Sequence, residues 1–242
     1  MLAAKLLSVK IAVTPVASPT FVGRTTAGIT GTTATTTNVS LTSLTGGLAS
    51  APVQNDLVIV YYGVGSAVDR SIGVTTAGYT EVAELYSSDG YATNLSVSYK
   101  FMGATPDTQV TVSATGSTSD SGAVAIHVWR DVNLASPLDV TSTTATGTNS
   151  VLCNPPAITP VTTGAVIVSG GAGGHTDGAQ TFSSSDLSNF ATIGKNLTYD
   201  ATVGVGSAVW TSGAFDPAQF TFSGSNSSSY SWAAVTLAMR PK

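Results

Sequence analysis

The sequence predicts an all-β protein, a sandwich or barrel of roughly a dozen short strands behind an extended N-terminal arm. Three observations support this prediction. Apolar residues alternate with Ser and Thr in several segments, no segment has the helical period of about 3.6 residues, and one strand–loop–strand pattern occurs twice, 110 positions apart. An all-β chain of 242 residues can fold as a single domain with a large core.

Residues 1–45 are predicted to form the arm, and residues 46–242 the body. Thr25–Asn38 is a tract of Thr, Gly and Ala with no apolar periodicity, and Pro15 and Pro19 mark a hinge before it. We therefore expect the arm to add little to the stability of the body and to serve attachment instead.

An apolar segment lies at each end of the arm. Met1–Ser18 weakly resembles a secretory signal, but Lys10 interrupts its apolar run, so both a cleaved signal and a first strand stay open. Asp56–Tyr62, just beyond the arm, is a continuous run of β-branched and aromatic residues. It is long enough for a strand and too short for a buried helix, so we predict that the body begins with a strand there.

The repeated pattern covers Gly103 to Arg130 and returns as Gly213 to Arg240. Each copy reads as an alternating strand, a polar loop and a longer apolar strand, which predicts a hairpin-like pair in both places. A weaker echo at an offset of 108 positions extends the similarity upstream. The body is therefore expected to come from a diverged internal duplication, with halves at about 52–140 and 160–242.

The alternating strands of the two copies carry large apolar side chains at equivalent positions. These are Val110 and Val112 in the first copy and Phe220 and Phe222 in the second. Equivalent strands of a sandwich occupy equivalent places, so we expect all four side chains to point into one common core.

The second strand of the first copy, Ala123–Arg130, is apolar on both faces. A strand buried on one side does not need a second apolar face, so we expect the arm or another subunit to cover it. Ile126, His127 and Trp129 are therefore candidates for a subunit interface.

Composition excludes several classes of partner. Charged residues make up only 9% of the chain, and the nine Lys and Arg are scattered singly, with a net charge of −4. No basic stripe could follow a phosphate backbone, so nucleic acid is not an expected partner. No stretch reaches the roughly 20 apolar residues of a membrane span, so insertion into a membrane is not expected. Cys153, the single cysteine, is predicted to be a buried small residue.

The sequence carries no catalytic constellation. Its two histidines are His127, inside an apolar strand, and His175, and no serine lies in a G-x-S-x-G elbow. Glu81 and Glu84 are three positions apart and should point to opposite faces of a strand, so they do not form a pair for glycoside hydrolysis. We expect a protein that is not an enzyme and that uses no cofactor.

Four residues are candidates for contact with a ligand. His175 and Asp177 lie in the segment Gly170–Gly178, which reads as a solvated glycine loop, and two potential ligands are too few for a metal site. Tyr86 and Tyr91 flank a polar turn, where they are either strand ends or platforms on which a sugar could stack.

Four ordered motifs resemble the jelly-roll modules of tailed-bacteriophage virion proteins, such as decoration proteins, head fibres and receptor-binding tail proteins. The motifs are Asn55–Val60, Ala77–Val82, Ser98–Met102 and Gln109–Ser113, and the resemblance covers Pro52–Pro241. It implies an antiparallel jelly-roll-like β-sandwich.

The resemblance also implies a function. A protein of this kind would be a non-enzymatic structural component on the virion surface, as a capsid decoration, head fibre or tail component. It would be attached to other virion proteins through its N-terminal arm. It would also assemble as a homo-oligomer, with a trimer favoured. The alternatives are a carbohydrate-binding adhesin or receptor-binding module for host surface glycans, and a secreted bacterial surface protein. Tyr79 stands where many such modules carry Trp, and no sugar-binding aromatic triad can be assigned, so the resemblance transfers no binding site.

Overall fold

The computed structural model describes residues 17–32, 36–88, 91–148, 150, 152–175, 178, 180–223 and 230–242. These residues form sixteen β-strands and no helix. The predicted all-β class is confirmed, with more strands than the dozen that the sequence suggested. The described part of the chain also lacks any helix with the length and apolarity needed to cross a membrane.

The first eight strands form one unit of two antiparallel sheets. Strands β1, β8, β3, β6 and β5 pair in that order, and β2, β7 and β4 form a smaller sheet. Their bounds are β1 Thr20–Thr30, β2 Thr37–Ser40, β3 Leu57–Ser66, β4 Ile72–Val74, β5 Thr80–Ser87, β6 Ala92–Phe101, β7 Gln109–Ala114 and β8 Ser121–Arg130.

The last eight strands repeat this arrangement strand for strand. The larger sheet has the order β9, β16, β11, β14, β13, and the smaller one the order β10, β15, β12, so each strand matches the strand eight places earlier. Eight antiparallel strands in two facing sheets are consistent with a jelly roll in each unit. Their bounds are β9 Thr143–Gly147, β10 Leu152–Cys153, β11 Val166–His175, β12 Phe182–Ser183, β13 Ser188–Lys195, β14 Asp200–Val209, β15 Phe220–Phe222 and β16 Ser231–Met239.

The two units pack back to back into four layers. Their five-stranded sheets face each other around a central core, and each three-stranded sheet covers the outer face of its own unit around a separate core. Every residue of β3 and β16 is buried, and so is every residue of β8 except Arg130, because these strands have a layer on both sides. Burial on both faces explains why their sequences are continuously apolar rather than alternating.

The repeated pattern is not a hairpin. In the first unit β7 pairs with β2 and β4, whereas β8 pairs with β1 and β3, so the two strands lie in facing sheets. The polar loop between them crosses from one layer to the other. The expected common core is also wrong: Val110 and Val112 pack in the outer core of the first unit, and Phe220 and Phe222 in that of the second.

Both faces of β8 are covered by the chain itself. Val124 and Ile126 pack against the three-stranded sheet, while Ala125 and Trp129 face the second unit in the central core. The interface candidates Ile126, His127 and Trp129 are therefore wrong as subunit contacts, because they are 0%, 0% and 3% exposed. The second apolar face of β8 is covered, as predicted, but within the same chain. The smaller sheet of the first unit covers one face, and the second unit covers the other.

The predicted arm is wrong for the part of it that the structure describes. Thr20–Thr30 pairs with Ser121–Arg130 along its whole length and packs on β13 of the second unit. The residues of this strand are small and show no apolar period, because the strand is held by partners that are distant in sequence. These partners are β8, which pairs with it, and β13, which packs on it. Residues 1–16 of the arm lie outside the described residues.

The glycine-rich segment predicted as a loop is largely a central strand. Residues Val166–His175 form β11, buried along its whole length between β14 and β16. A Cβ built on Gly170 would lie 2.7 Å from the ring of Tyr61, and one on Gly173 would lie 2.5 Å from the ring of Phe222. The glycines serve close packing between layers, which a sequence pattern alone does not distinguish from a turn.

The strands give the molecule two distinct ends. Leu57, Phe101 and Trp129 meet at one end, which we call the base. The corresponding strand ends of the second unit lie beside it, because the amide of Lys242 donates to the carbonyl of Asp131. At the opposite end, the tip, the hydroxyl of Ser121 donates to the carbonyl of Tyr199 over 2.8 Å.

Candidate functional site

A polar groove runs along one flank of the first unit. It opens because β5 pairs with β6 in the larger sheet and leaves β4 as the edge of the smaller one. Two connected cavities of about 350 and 450 Å³ form it and share Ser71 and Glu84. We call it the Tyr79–Tyr86 groove, and its principal lining residues are Ser71, Gly73, Tyr79, Glu81, Glu84, Tyr86 and Ser98.

A β-bulge brings both carboxylates of β5 to this groove. The pairing of β5 with β6 shifts between Glu81 and Ala83, so that Glu81 lies opposite Ser98 and Glu84 opposite Ser96. Because Ser96 and Ser98 are two positions apart on β6, Glu81 and Glu84 project from the same face. The prediction that they point to opposite faces is therefore wrong, since it assumed a regular strand.

One carboxylate is held in place and the other lines the groove near a glycine. The backbone amide of Ile72 donates to Glu84 Oε1 over 3.0 Å, which ties β5 to the edge of β4. A Cβ built on Gly73 would lie 3.7 Å from Glu81 Oε2. Both glutamates are exposed, so their oxygens face solvent in the groove.

Two buried hydroxyl groups next to the groove have no hydrogen-bond partner among the described residues. They are Ser96 Oγ and the hydroxyl of Tyr79. Ser96 is 1% exposed and its oxygen would lie 3.7 Å from a Cβ on Gly73. Burial, followed by the charge of Asp107, raises the pKa of Tyr79 above its ordinary value, so its hydroxyl remains a donor at neutral pH. Buried polar groups normally have partners, which makes these two hydroxyls candidates for ligand contact.

The cations around the groove are already paired. The Nε of Arg70 lies 2.8 Å from Asp120 Oδ2, and the Nζ of Lys100 lies 2.7 Å from Asp107 Oδ2. Lys100 also lies over the ring of Tyr79, 5.6 Å from its centroid. The groove therefore presents carboxylate and hydroxyl oxygens rather than positive charge.

Among the described residues of the second unit, aromatic side chains fill the equivalent place. Strand pairing puts Gly204 and Gly206 where the first unit has Ser96 and Ser98. A Cβ on Gly204 would lie 2.9 Å from Phe182 Cβ and 3.0 Å from the ring of Phe190. Aromatic rings thus occupy the space that is open in the first unit.

The structure separates the two tyrosine candidates. Tyr86 lines the Tyr79–Tyr86 groove, on the face of β5 that also carries Glu84. Tyr91 lies at the tip on the opposite face, with its ring centroid 6.4 Å from that of Tyr199 in the second unit. The two tyrosines therefore do not stack on one ligand, because a sheet lies between them.

His175 is not an exposed loop ligand as predicted. It is 1% exposed at the tip end of β11, where its Nε2 lies 2.7 Å from the hydroxyl of Thr202. Its Nδ1 lies 3.5 Å from Asp200 Oδ2, which also accepts from the amide of Gly178. This arrangement is an internal polar network of the second unit. Asp177 lies outside the described residues.

His127 lies between the two units and away from the groove. Its ring packs against Phe21 at 5.1 Å, and neither ring nitrogen has a hydrogen-bond partner by distance and angle among the described residues. Burial, followed by the charge of Arg24, lowers the pKa of His127 to about 3, against a weaker opposing effect of the Asn189 backbone. His127 is therefore a neutral core residue.

Cys153 is buried in the outer core of the second unit, as predicted, and burial raises the pKa of its thiol. Within the described ranges, no three His, Cys, Asp or Glu side chains gather into a set that could hold a metal ion. No protein-family model, curated protein or solved structure matches this chain. Sequence reasoning missed Glu81, Glu84 and Ser96 as groove residues, because no residue pattern signals the bulge that brings them together.

Proposed function

We propose that this chain is a non-enzymatic structural protein of a virion surface, fixed at its base to other virion proteins, with its tip displayed outward. The proposal starts from the resemblance to jelly-roll modules of tailed bacteriophages. One structural observation carries it further: the two ends of the molecule differ in a way that suits attachment at one end and display at the other.

Among the described residues, the base holds most of the exposed large apolar side chains. Leu48 lies beside the start of β1, where its amide donates to the carbonyl of Phe21. Val53 and Val161 precede β3 and β11, Leu134 follows β8, and Val209 ends β14. Contiguous exposed apolar surface marks sites of protein contact. Ala17–Pro19 also lead into β1 at this end, which supports attachment of the base through the N-terminal segment.

A homo-oligomer, with a trimer favoured, remains part of the proposal. Because β8 is buried inside the chain, subunit contacts would use the base instead of Ile126 and Trp129. The low fraction of charged residues, 9%, is compatible with close packing of neighbouring copies on a particle.

A charge at the base tests the proposal against a matched charge at the tip. Leu134 at the base and Val68 at the tip are 48% and 46% exposed, so Leu134→Asp and Val68→Asp should both leave the fold intact. We expect Leu134→Asp to lower incorporation into particles at least tenfold and Val68→Asp to leave it unchanged, as measured by quantitative mass spectrometry of purified virions. Equal incorporation of the two variants, or absence of the wild-type protein from particles, would contradict the proposal.

A second candidate function is recognition of a host surface glycan. The Tyr79–Tyr86 groove is the observation that favours it, because a small-molecule site is a concave pocket in which a few polar groups converge. The two functions are compatible, since receptor-binding modules are themselves displayed on virions.

A further inference from the structure

We propose that the Tyr79–Tyr86 groove binds a neutral pyranose sugar, with Glu81 and Glu84 accepting hydrogen bonds from its hydroxyl groups and Tyr86 packing against its ring. This inference rests on the second candidate function, glycan recognition, and assigns that function to one place on the molecule. It does not depend on whether the protein is part of a virion.

The polar groups of the groove match the hydroxyl groups of a sugar. An ionised carboxylate only accepts hydrogen bonds, and a sugar hydroxyl can donate to it while accepting from another group. Ser71 and Ser98 line the groove with hydroxyl groups that can donate, and the buried hydroxyls of Ser96 and Tyr79 beside it have no partner among the described residues, so the groove offers both roles. Hydrogen bonds to a charged acceptor are the stronger kind, which makes the two glutamates the principal contacts.

The shape of the groove also suits a sugar. Tyrosines stand at its two ends, Tyr79 beside β4 and Tyr86 beside Arg70. Lys100 lies over the ring of Tyr79, so Tyr86 is the tyrosine proposed to pack against the sugar ring. The two connected cavities of about 350 and 450 Å³ fall in the usual range of small-molecule sites, roughly 300 to 1,000 Å³.

Charge selects against acidic sugars. Arg70 and Lys100 are each held by an aspartate, so neither is free to pair with the carboxylate of an acidic sugar. Such a carboxylate would also be repelled by Glu81 and Glu84. A neutral sugar meets no repulsion and loses no strongly bound hydration shell.

The second unit provides an internal comparison for this assignment. Phe182 and Phe190 fill the equivalent space there, over Gly204 and Gly206. A duplicated scaffold therefore shows how this place looks when it serves packing alone. The first unit instead keeps two serines, two glutamates and an open volume, so we infer one sugar site per chain.

Saturation-transfer NMR tests the site with a panel of neutral methyl hexopyranosides and with N-acetylneuraminic acid. We expect at least one neutral hexopyranoside to bind and the acidic sugar not to bind. Glu81→Gln and Tyr86→Ala should each weaken that binding at least tenfold. Glu84→Gln keeps an oxygen that can accept from the Ile72 amide, so its loss of binding would report on charge and not on folding.

Two control variants leave the groove intact. Tyr91→Ala removes the exposed tyrosine on the opposite face, and Thr192→Ser changes the position in the second unit that matches Glu84 while keeping the hydroxyl that accepts from the Phe182 amide. Neither should alter binding, and far-UV circular dichroism and thermal melting should match wild type for all variants used. Binding that persists in the groove variants would place a glycan site elsewhere and overturn this inference, while glycan recognition itself would stand. Absence of binding by every neutral sugar, or preference for the acidic one, would overturn both, without affecting the particle-incorporation test.

Discussion

The two units share one strand order and differ where β5 and β13 meet the smaller sheets. In the first unit a bulge, two glutamates and two serines leave an open groove beside Tyr79. In the second unit the same place holds glycines on β14, with Phe182 and Phe190 packed directly over them. The difference shows that the same fold tolerates either an open groove or packed aromatic rings at this position. One copy can therefore carry a binding site while the other adds to the core.

The largest expected effect compares the outer cores of the two units. Phe220→Ala should lower the free energy of unfolding by about 3–5 kcal/mol, because Phe220 is fully buried among Phe182 and Phe190. The equivalent Val110→Ala should cost less, roughly 2 kcal/mol, because it removes only two methyl groups. Urea denaturation of both variants measures the difference. Equal losses would show that the second unit does not depend on its aromatic filling.

The next effect concerns the central interface, where the units should behave alike. A Cβ on Gly174 would lie 2.5 Å from the carbonyl oxygen of Ala92, and a Cβ on Gly65 would overlap the carbonyl of Asp200. Gly65→Ala and Gly174→Ala should each destabilise the protein by roughly 1–3 kcal/mol or more, because backbone cannot move aside as a side chain can. Thermal melting of each variant measures the loss. Destabilisation by only one of them would show that the units are less alike at this interface than their strand order implies.

Gly103→Ala is the matched control for these two glycine variants. A Cβ on Gly103 meets no atom within 4 Å, and its backbone does not adopt a positive φ. Its melting temperature should stay close to that of the wild-type protein.

A third prediction concerns pH, because the first unit has His127 at the central interface where the second unit has Leu237. The pKa of His127 is lowered from 6.5 to about 3. Above pH 6.5 both folded and unfolded states are neutral at this residue. Below pH 6.5 the imidazole binds a proton in the unfolded state but not in the folded state. The free energy of unfolding therefore falls by up to about 1.4 kcal/mol for each pH unit, down to about pH 3. His127→Leu should reduce this slope in chemical denaturation between pH 6 and pH 4. An unchanged slope would mean that the folded protein accommodates the protonated imidazole.

The smallest expected effect tests the buried serine next to the groove. Ser96 Oγ is buried and has no partner among the described residues, so Ser96→Ala should change the unfolding free energy by less than about 1 kcal/mol, or increase it. Ser121→Ala is the control, because its hydroxyl donates to Tyr199 and its loss should cost about 1 kcal/mol. Calorimetry should show the serine at the tip, and not the one next to the groove, as the more stabilising.

The sequence allowed the central strands to be predicted, and its 110-residue repeat coincides with the matched strands β7–β8 and β15–β16. The apolar runs of Leu57–Tyr62 and Ala123–Trp129 lie in strands β3 and β8, because residues buried on both faces leave a local signal. The strand Thr20–Thr30 left none, since its pairing with β8 and its packing on β13 are both long-range.

The candidate site could not be predicted for a related reason. A single shift of register between Glu81 and Ala83 reverses which face a carboxylate occupies, and no residue type marks it. Similarly, the glycines of β11 read as a loop because the rings that need their space, on Tyr61 and Phe222, are far away in sequence. Tyr86 was found because an aromatic residue beside a turn is conspicuous in any sequence, but its partners were not.

The contacts at the tip are reciprocal. Ser121 donates to the carbonyl of Tyr199, and Ser231, which matches Ser121 in the second unit, donates to the carbonyl of Tyr91, which matches Tyr199. Such exchange of equivalent partners is the property of an isologous dimer, in which one surface patch binds a copy of itself. The chain therefore has the internal symmetry of a dimer whose two subunits are joined covalently by residues 131–142. Joining them makes the partner's local concentration independent of how much protein is present, and it allows each subunit to change its sequence without requiring the same change in the other.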